Sequence, residues 1–136
     1  MWGMHLTVDV ANCNENRSNA DAIARFAKDM VERINMKAYG DPWIVHFAKE
    51  NPQAAGYTLT QLIETSNITA HFCDHTGECY FDVFSCMEFD VDAALDVIAE
   101  HFSPPAERLV GGDDEAGPLI AGGHQLEEQV RGVLLE

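Results

Sequence analysis

The sequence predicts an α+β fold, a two-layer sandwich in which an antiparallel sheet carries two helices on one face. Three observations predict it: runs of β-branched and aromatic residues are joined by hairpin signals, two stretches have helical periodicity, and strands and helices do not alternate as parallel βα units require.

Met4 to Val10 reads as the first strand, with Thr7, Val8 and Val10 β-branched, and the polar stretch Asn12 to Ser18 ends it. A helix follows: Ile23, Phe26, Ala27, Met30, Val31 and Ile34 line one face, and Ser18 or Asn19 is placed to cap its start. Gly40-Asp41-Pro42 marks a turn, Trp43 to Phe47 a short strand, Asn51 to Gly56 a loop, and Tyr57 to Ile63 a further strand. Glu64-Thr65-Ser66-Asn67 then interrupts a run that otherwise continues to Phe72, which predicts a tight kink between two strands. Past it, Asn67, Thr69 and His71 share one face, and Ile68, Ala70 and Phe72 the other.

Asp74-His75-Thr76-Gly77 has the composition of a hairpin turn, which brings His71 alongside the strand Cys79 to Cys86. Asp90 or Asp92 caps a second helix with Ala94, Leu95, Val97, Ile98 and Phe102 as its apolar stripe, stopped by Ser103-Pro104-Pro105. With both helices on one sheet face, the face holding Asn67, Thr69 and His71 needs a ligand, water or a second subunit over it, and a homodimer is the economical solution. Residues 1–110 form one domain; residues 111–136 read as an acidic, glycine-rich extension, with a short helix through Leu126, Val130, Val133 and Leu134 as one option.

Twenty-three acidic residues against eight basic ones give a net charge of −15, which repels nucleic acid and anionic membranes and favours a cationic small-molecule substrate. A solvated acidic surface has the same composition. The N-terminus lacks the basic start and apolar run of a signal peptide, and no apolar stretch is long enough to span a bilayer, so a cytoplasmic protein is expected. In that compartment Cys13, Cys73, Cys79 and Cys86 are expected to be reduced.

The segment Y-T-L-T-Q-L-I-E-T-S-N-I-T-A-H-F, followed by Y-F-D-V-F-S-C, carries a serine between two strands, a histidine five residues later and a cysteine twenty residues after the serine. This arrangement resembles the core of the short bacterial and archaeal S-adenosylmethionine decarboxylases, and with the opening G-M-H-L-T-V-D and the two helices the resemblance covers roughly residues 3 to 110. It implies a self-processing pyruvoyl-dependent decarboxylase, cut between Thr65 and Ser66, whose cofactor is a covalent pyruvoyl group made from Ser66. His71 then serves the elimination step of processing. Thr58 stands where the family has a helper serine, and Cys86 is the proton donor in turnover. The substrate amine forms a Schiff base with the pyruvoyl carbonyl and loses carbon dioxide, and the product feeds spermidine synthesis.

Elementary chemistry agrees with this assignment. Decarboxylation needs an electron sink that no ordinary side chain provides. Only Lys28, Lys37 and Lys49 could hold pyridoxal phosphate, and those on helices face solvent by their spacing. A thiol suits the proton donor because it gives and recovers a proton near neutrality.

The chain departs from the family pattern at Thr65, where glutamate or lysine is usual, at Asn67, where histidine is usual, and at His75, where a glutamate binds the ribose hydroxyls of the substrate. Asp74 is the candidate to replace that glutamate. Glu64 and Phe72 are further substrate-binding candidates, Glu64 against a solvated edge carboxylate and Phe72 against an ordinary core aromatic. An alternative on the same scaffold is ornithine or arginine decarboxylation, since all three substrates are cationic. Two alternatives of another class are an uncleaved regulatory relative and a metal-stabilised binding module built on His71, Cys73, His75 and Cys79, although no metal is expected on the main reading.

Overall fold

The computed structural model describes residues 3–103 and 130–135. Strands β1 (Met4–Val10), β2 (Trp43–Phe47), β3 (Gly56–Ile63), β4 (Ser66–Cys73), β5 (Cys79–Ser85) and β6 (Val130–Leu135) make one sheet in the order β2-β3-β4-β5-β1-β6. All neighbouring pairs are antiparallel. Helices α1 (Ala20–Arg33) and α2 (Val91–Phe102) complete the expected α+β sandwich.

Both helices begin at caps read in the sequence. The side chain of Asn19 accepts from the Ala22 N–H at 3.1 Å, and that of Asp90 from the Ala93 N–H at 3.2 Å, each satisfying a donor that the first helical turn leaves open. α1 ends in a Schellman motif. Asn35 takes a left-handed φ of 60°, its N–H bonds the Glu32 carbonyl, and the Met36 N–H bonds the Val31 carbonyl. This cap fixes where Met36 leaves the helix.

Strand alternation divides the sheet into a covered and an open face. Ile68, Ala70 and Phe72 of β4 and Cys79, Phe81, Val83 and Ser85 of β5 are buried beneath the helices. At the centre, Phe102 packs 4.9 Å from Phe26 and 5.0 Å from Phe72, ring centroid to centroid, and Phe81 closes the cluster. Polar bonds tie the helices together at the edge: Arg33 spans Asp29 and Glu100, and His101 meets Asp29 at 2.8 Å.

Two sequence expectations change. Val130 to Leu135, the end of the optional C-terminal helix, is instead β6 on the outer edge of β1, with a register irregularity between His5 and Thr7. Gly132 and two valines weaken a helix there, while the edge of β1 offers a row of unpaired backbone groups. Leu126, the glycine-rich connection and the prolines after α2 lie outside the described residues. Phe72, a candidate for stacking on substrate, is 0% exposed on the covered face and has no surface to offer a ligand.

Phe72→Ala is therefore expected to cost about 3–5 kcal/mol of folding stability through the cavity it opens. Urea unfolding measures this, and a loss below about 1 kcal/mol would contradict the packing described.

Candidate active site

The turn between β3 and β4 contains only Glu64 and Thr65, because Ile63 and Ser66 already pair. Two-residue hairpin loops normally place glycine or asparagine at positive φ to match the twist of the strands. Glu64 and Thr65 both keep negative φ, and the departure falls on Ser66, whose φ is 155°. Asn12, Asn35 and Ala48 also have positive φ but lie near 60°, in the left-handed well that side chains tolerate. Ser66 alone among these four lies in a region that strongly favours glycine.

The carbonyl before Ser66 and the Ser66 hydroxyl are each held by a donor. The Thr65 carbonyl accepts the Cys86 N–H at 2.9 Å, and the Asn67 side-chain amide donates to Ser66 Oγ at 3.0 Å. Pairing of Ser66 with Ser85 sets Cys86 directly beside the turn, with an exposed, free thiol. The structure thus brings Thr65, Ser66, Asn67 and Cys86 together at one end of the sheet. Such a carbonyl is polarised toward nucleophilic attack by a fixed backbone donor.

Thr58 and His71 face each other across β3 and β4, and Thr58 Oγ1 and His71 Nδ1 share a 2.9 Å hydrogen bond. That bond orients the imidazole and leaves Nε2 to move a proton. Gly56 keeps the space beside Nε2 open, since a Cβ there would meet Nε2 at 3.3 Å and run into the Phe72 carbonyl oxygen. The pair borders a shallow hollow of about 370 Å³ on the open face, lined also by Thr7, Asp9, Thr69, Tyr80 and Asp82. His71 lies five residues along β4 from Ser66, roughly 16 Å at the rise of a strand. Within one chain, the His71 side chain does not reach Ser66.

The remaining candidates stand apart. Glu64 is half exposed and faces Lys37 at 3.6 Å. Asp74 lies at the far end of β4 with both carboxylate oxygens engaged, one by Ser18 Oγ at 2.8 Å and the other by His46 Nε2 at 2.6 Å. Burial raises the Asp74 carboxyl, but the bonds from His46 and Ser18 outweigh it and hold the group below its ordinary value. His75 borders a separate hollow of about 250 Å³ with Asn12, Asn14 and Arg17. His5 meets Asp82 at 2.7 Å on the same open face.

The four residues of the metal-module alternative do not converge. His71 pairs with Tyr80 and shares the open face, whereas Cys79 pairs with Phe72 and points into the core. The Cys13 thiol beside Cys79, together with burial, pushes the Cys79 thiol up and away from the thiolate a metal would need. Among the described residues no group of three or more His, Cys, Asp or Glu is placed to hold a metal ion.

Compared with known protein families, residues 4–110 match the family described as S-adenosylmethionine decarboxylase. The chain belongs to the S-adenosylmethionine decarboxylase family. A search of curated proteins finds no match. Membership makes the chain a decarboxylase-type enzyme, in agreement with the resemblance read from Ser66, His71 and Cys86. No helix among the described residues is long and apolar enough to cross a membrane.

Three contributors were missed in the sequence: the Cys86 N–H, the contact of Asn67 with Ser66, and Ser85. Ser85 had a signal, being a hydroxyl at a core-facing position of β5 next to Cys86. A backbone donor has none.

The lowered Asp74 carboxyl makes a pH prediction. Its contribution to stability is fully present above the unfolded-state value of 3.8 and is lost as pH falls from there through the lower folded-state value. Asp74→Asn should therefore be less stable than the native chain at about pH 7, with the gap narrowing at about pH 3. Equal gaps in urea titrations at the two pH values would contradict this.

Proposed function

We propose that this family member is a proenzyme that cleaves itself between Thr65 and Ser66 and uses the pyruvoyl group so formed to decarboxylate S-adenosylmethionine. The reading is carried by one peptide, in which a serine with strained backbone follows a carbonyl held by the Cys86 N–H. Strain in the amide ground state and a donor aimed at the developing oxyanion both lower the barrier to its rearrangement.

In the first step Ser66 Oγ adds to the Thr65 carbonyl carbon, the Thr65–Ser66 C–N bond breaks, and the hydroxyl proton passes to the freed nitrogen, leaving an ester. The Asn67 amide, donating to Oγ, holds the nucleophile and stabilises charge on it. A base then removes the Ser66 α-proton and the Cβ–O bond breaks, releasing residues 1–65 with a Thr65 carboxylate. The dehydroalanine left behind takes up water and loses ammonia to give the pyruvoyl end. His71 Nε2, oriented by Thr58, is the base for the elimination.

His71 and Ser66 are too far apart in one chain, which supports a homodimer in which the His71 of one chain serves the Ser66 of the other. The open face has the surface for such pairing: Trp43, Phe47 and Leu62 lie there, 72%, 53% and 49% exposed. Asp9 and Asp82 give the hollow beside His71 the sign that a sulfonium or ammonium substrate requires.

The pyruvoyl carbonyl supplies the electron sink for loss of carbon dioxide. Cys86, exposed beside that chain end, protonates the substrate carbon that has lost its carboxylate. The product supplies aminopropyl groups for spermidine synthesis in the cytoplasm. A second substrate reading rests on Asp74 and His75: the first already bonds Ser18 and His46 and the second is no carboxylate, which weakens the case for ribose binding by this stretch and makes ornithine or arginine the alternative.

Intact mass of the denatured protein is expected to show two fragments divided between Thr65 and Ser66, and a single uncut chain for Ser66→Ala. Uncut His71→Ala chains should be cleaved when coexpressed with Ser66→Ala chains, which supply the missing histidine across the dimer. A native chain that stays whole would replace this reading with the uncleaved regulatory relative.

Cys86→Ala is expected to be processed yet to release carbon dioxide roughly 10²- to 10⁴-fold more slowly, the usual range for a lost general acid. Release of labelled carbon dioxide from S-adenosylmethionine, ornithine and arginine in parallel identifies the substrate.

A further inference from the structure

Ser85 is a fully buried polar side chain, 0% exposed, directly beneath the turn that carries Ser66. Its hydroxyl sits in a directed chain of bonds. The Met87 N–H donates to Ser85 Oγ at 3.0 Å, Ser85 Oγ donates to Thr65 Oγ1 at 2.9 Å, and Thr65 Oγ1 donates to Met36 Sδ at 3.2 Å. Each hydroxyl accepts once and donates once, so both are satisfied and neither rotates freely. Ser85 Oγ is also 3.6 Å from Met36 Sδ.

This chain grips the residue that contributes the scissile carbonyl. The Thr65 side chain is held from below by Ser85 and Met36, while its carbonyl is held by the next residue of β5, Cys86. A threonine has no charge with which to anchor itself in solvent or to a distant partner, and here a neutral clamp built on a strand end and a helix cap locates it.

Resting on the reading that the chain cleaves before Ser66, we propose that Ser85 is a positioning residue for that cleavage: through Thr65 it aims the Thr65 carbonyl carbon at the Ser66 hydroxyl. It touches no reacting atom. A shift of about 1 Å between nucleophile and carbonyl costs on the order of 10²-fold in rate, so the loss of one clamp bond is enough to be measured.

The test follows cleavage over time in full-length chains made by cell-free synthesis, with and without hydroxylamine to trap the ester. Ser85→Ala and Thr65→Val should each slow cleavage about ten- to a hundredfold and lower the hydroxylamine-sensitive fraction. Ser85→Thr, which keeps the hydroxyl, should restore both. The double variant should be no slower than the slower single variant, because both changes remove the same bond. Folded single variants that cleave at the native rate, or a double variant slowed by the product of the two effects, would overturn the proposal. If Ser85→Ala does not fold by circular dichroism, Thr65→Val and the Ser85→Thr rescue decide the matter by the same criteria. A native chain that neither cleaves nor yields to hydroxylamine overturns the cleavage reading itself, an outcome separate from any difference among the variants.

Discussion

Everything at the site depends on how β3 and β4 are joined. Their register leaves two residues for the turn, and neither has the backbone freedom that a tight hairpin asks for. The sheet does not yield, because both strands are locked on their other sides by β2 and β5. The distortion is therefore concentrated on Ser66, and the same pairing of Ser66 with Ser85 delivers the Cys86 N–H to the Thr65 carbonyl. Strain and polarisation at one peptide thus have a common origin in the register of three strands.

That origin explains what the sequence made legible. The kink at Glu64 to Asn67 was visible because it interrupts a run of strand residues, and the division of β4 into an open and a covered face follows from strict alternation. Asn19 and Asp90 announced the helices because a cap is a local interaction between a side chain and a nearby amide. β6 was not legible: whether 130–135 pairs with β1 depends on a free edge supplied by the opposite end of the chain, and periodicity over six residues does not separate strand from helix.

The site was legible in its residue types but not in its distances. Ser66, His71 and Cys86 stand out by spacing, yet spacing alone suggests one cluster. The strand geometry separates His71 from Ser66 while joining Cys86 to it, because twenty residues of hairpin fold back and five residues of strand do not. Phe72 lies where alternation puts it, on the covered face opposite His71, which favours the core-aromatic side of its two readings. Asp74 held its position but not its freedom, since His46 and Ser18 come from parts of the chain that no local pattern connects to it.

The two-residue turn also has a consequence for the molecule as a polymer. α1, β1, β2 and β3 precede the Thr65–Ser66 bond, whereas β4, β5 and α2 follow it, so the sheet and the aromatic core both straddle the bond. A cut there would leave every strand in place while changing what holds the most local pair in the fold. β3 and β4, neighbours at almost no loop-closure entropy in the intact chain, would become partners on separate polypeptides. Reassembly after denaturation would then be a second-order event that depends on concentration, and the cut protein would owe its persistence to slow unfolding more than to easy refolding.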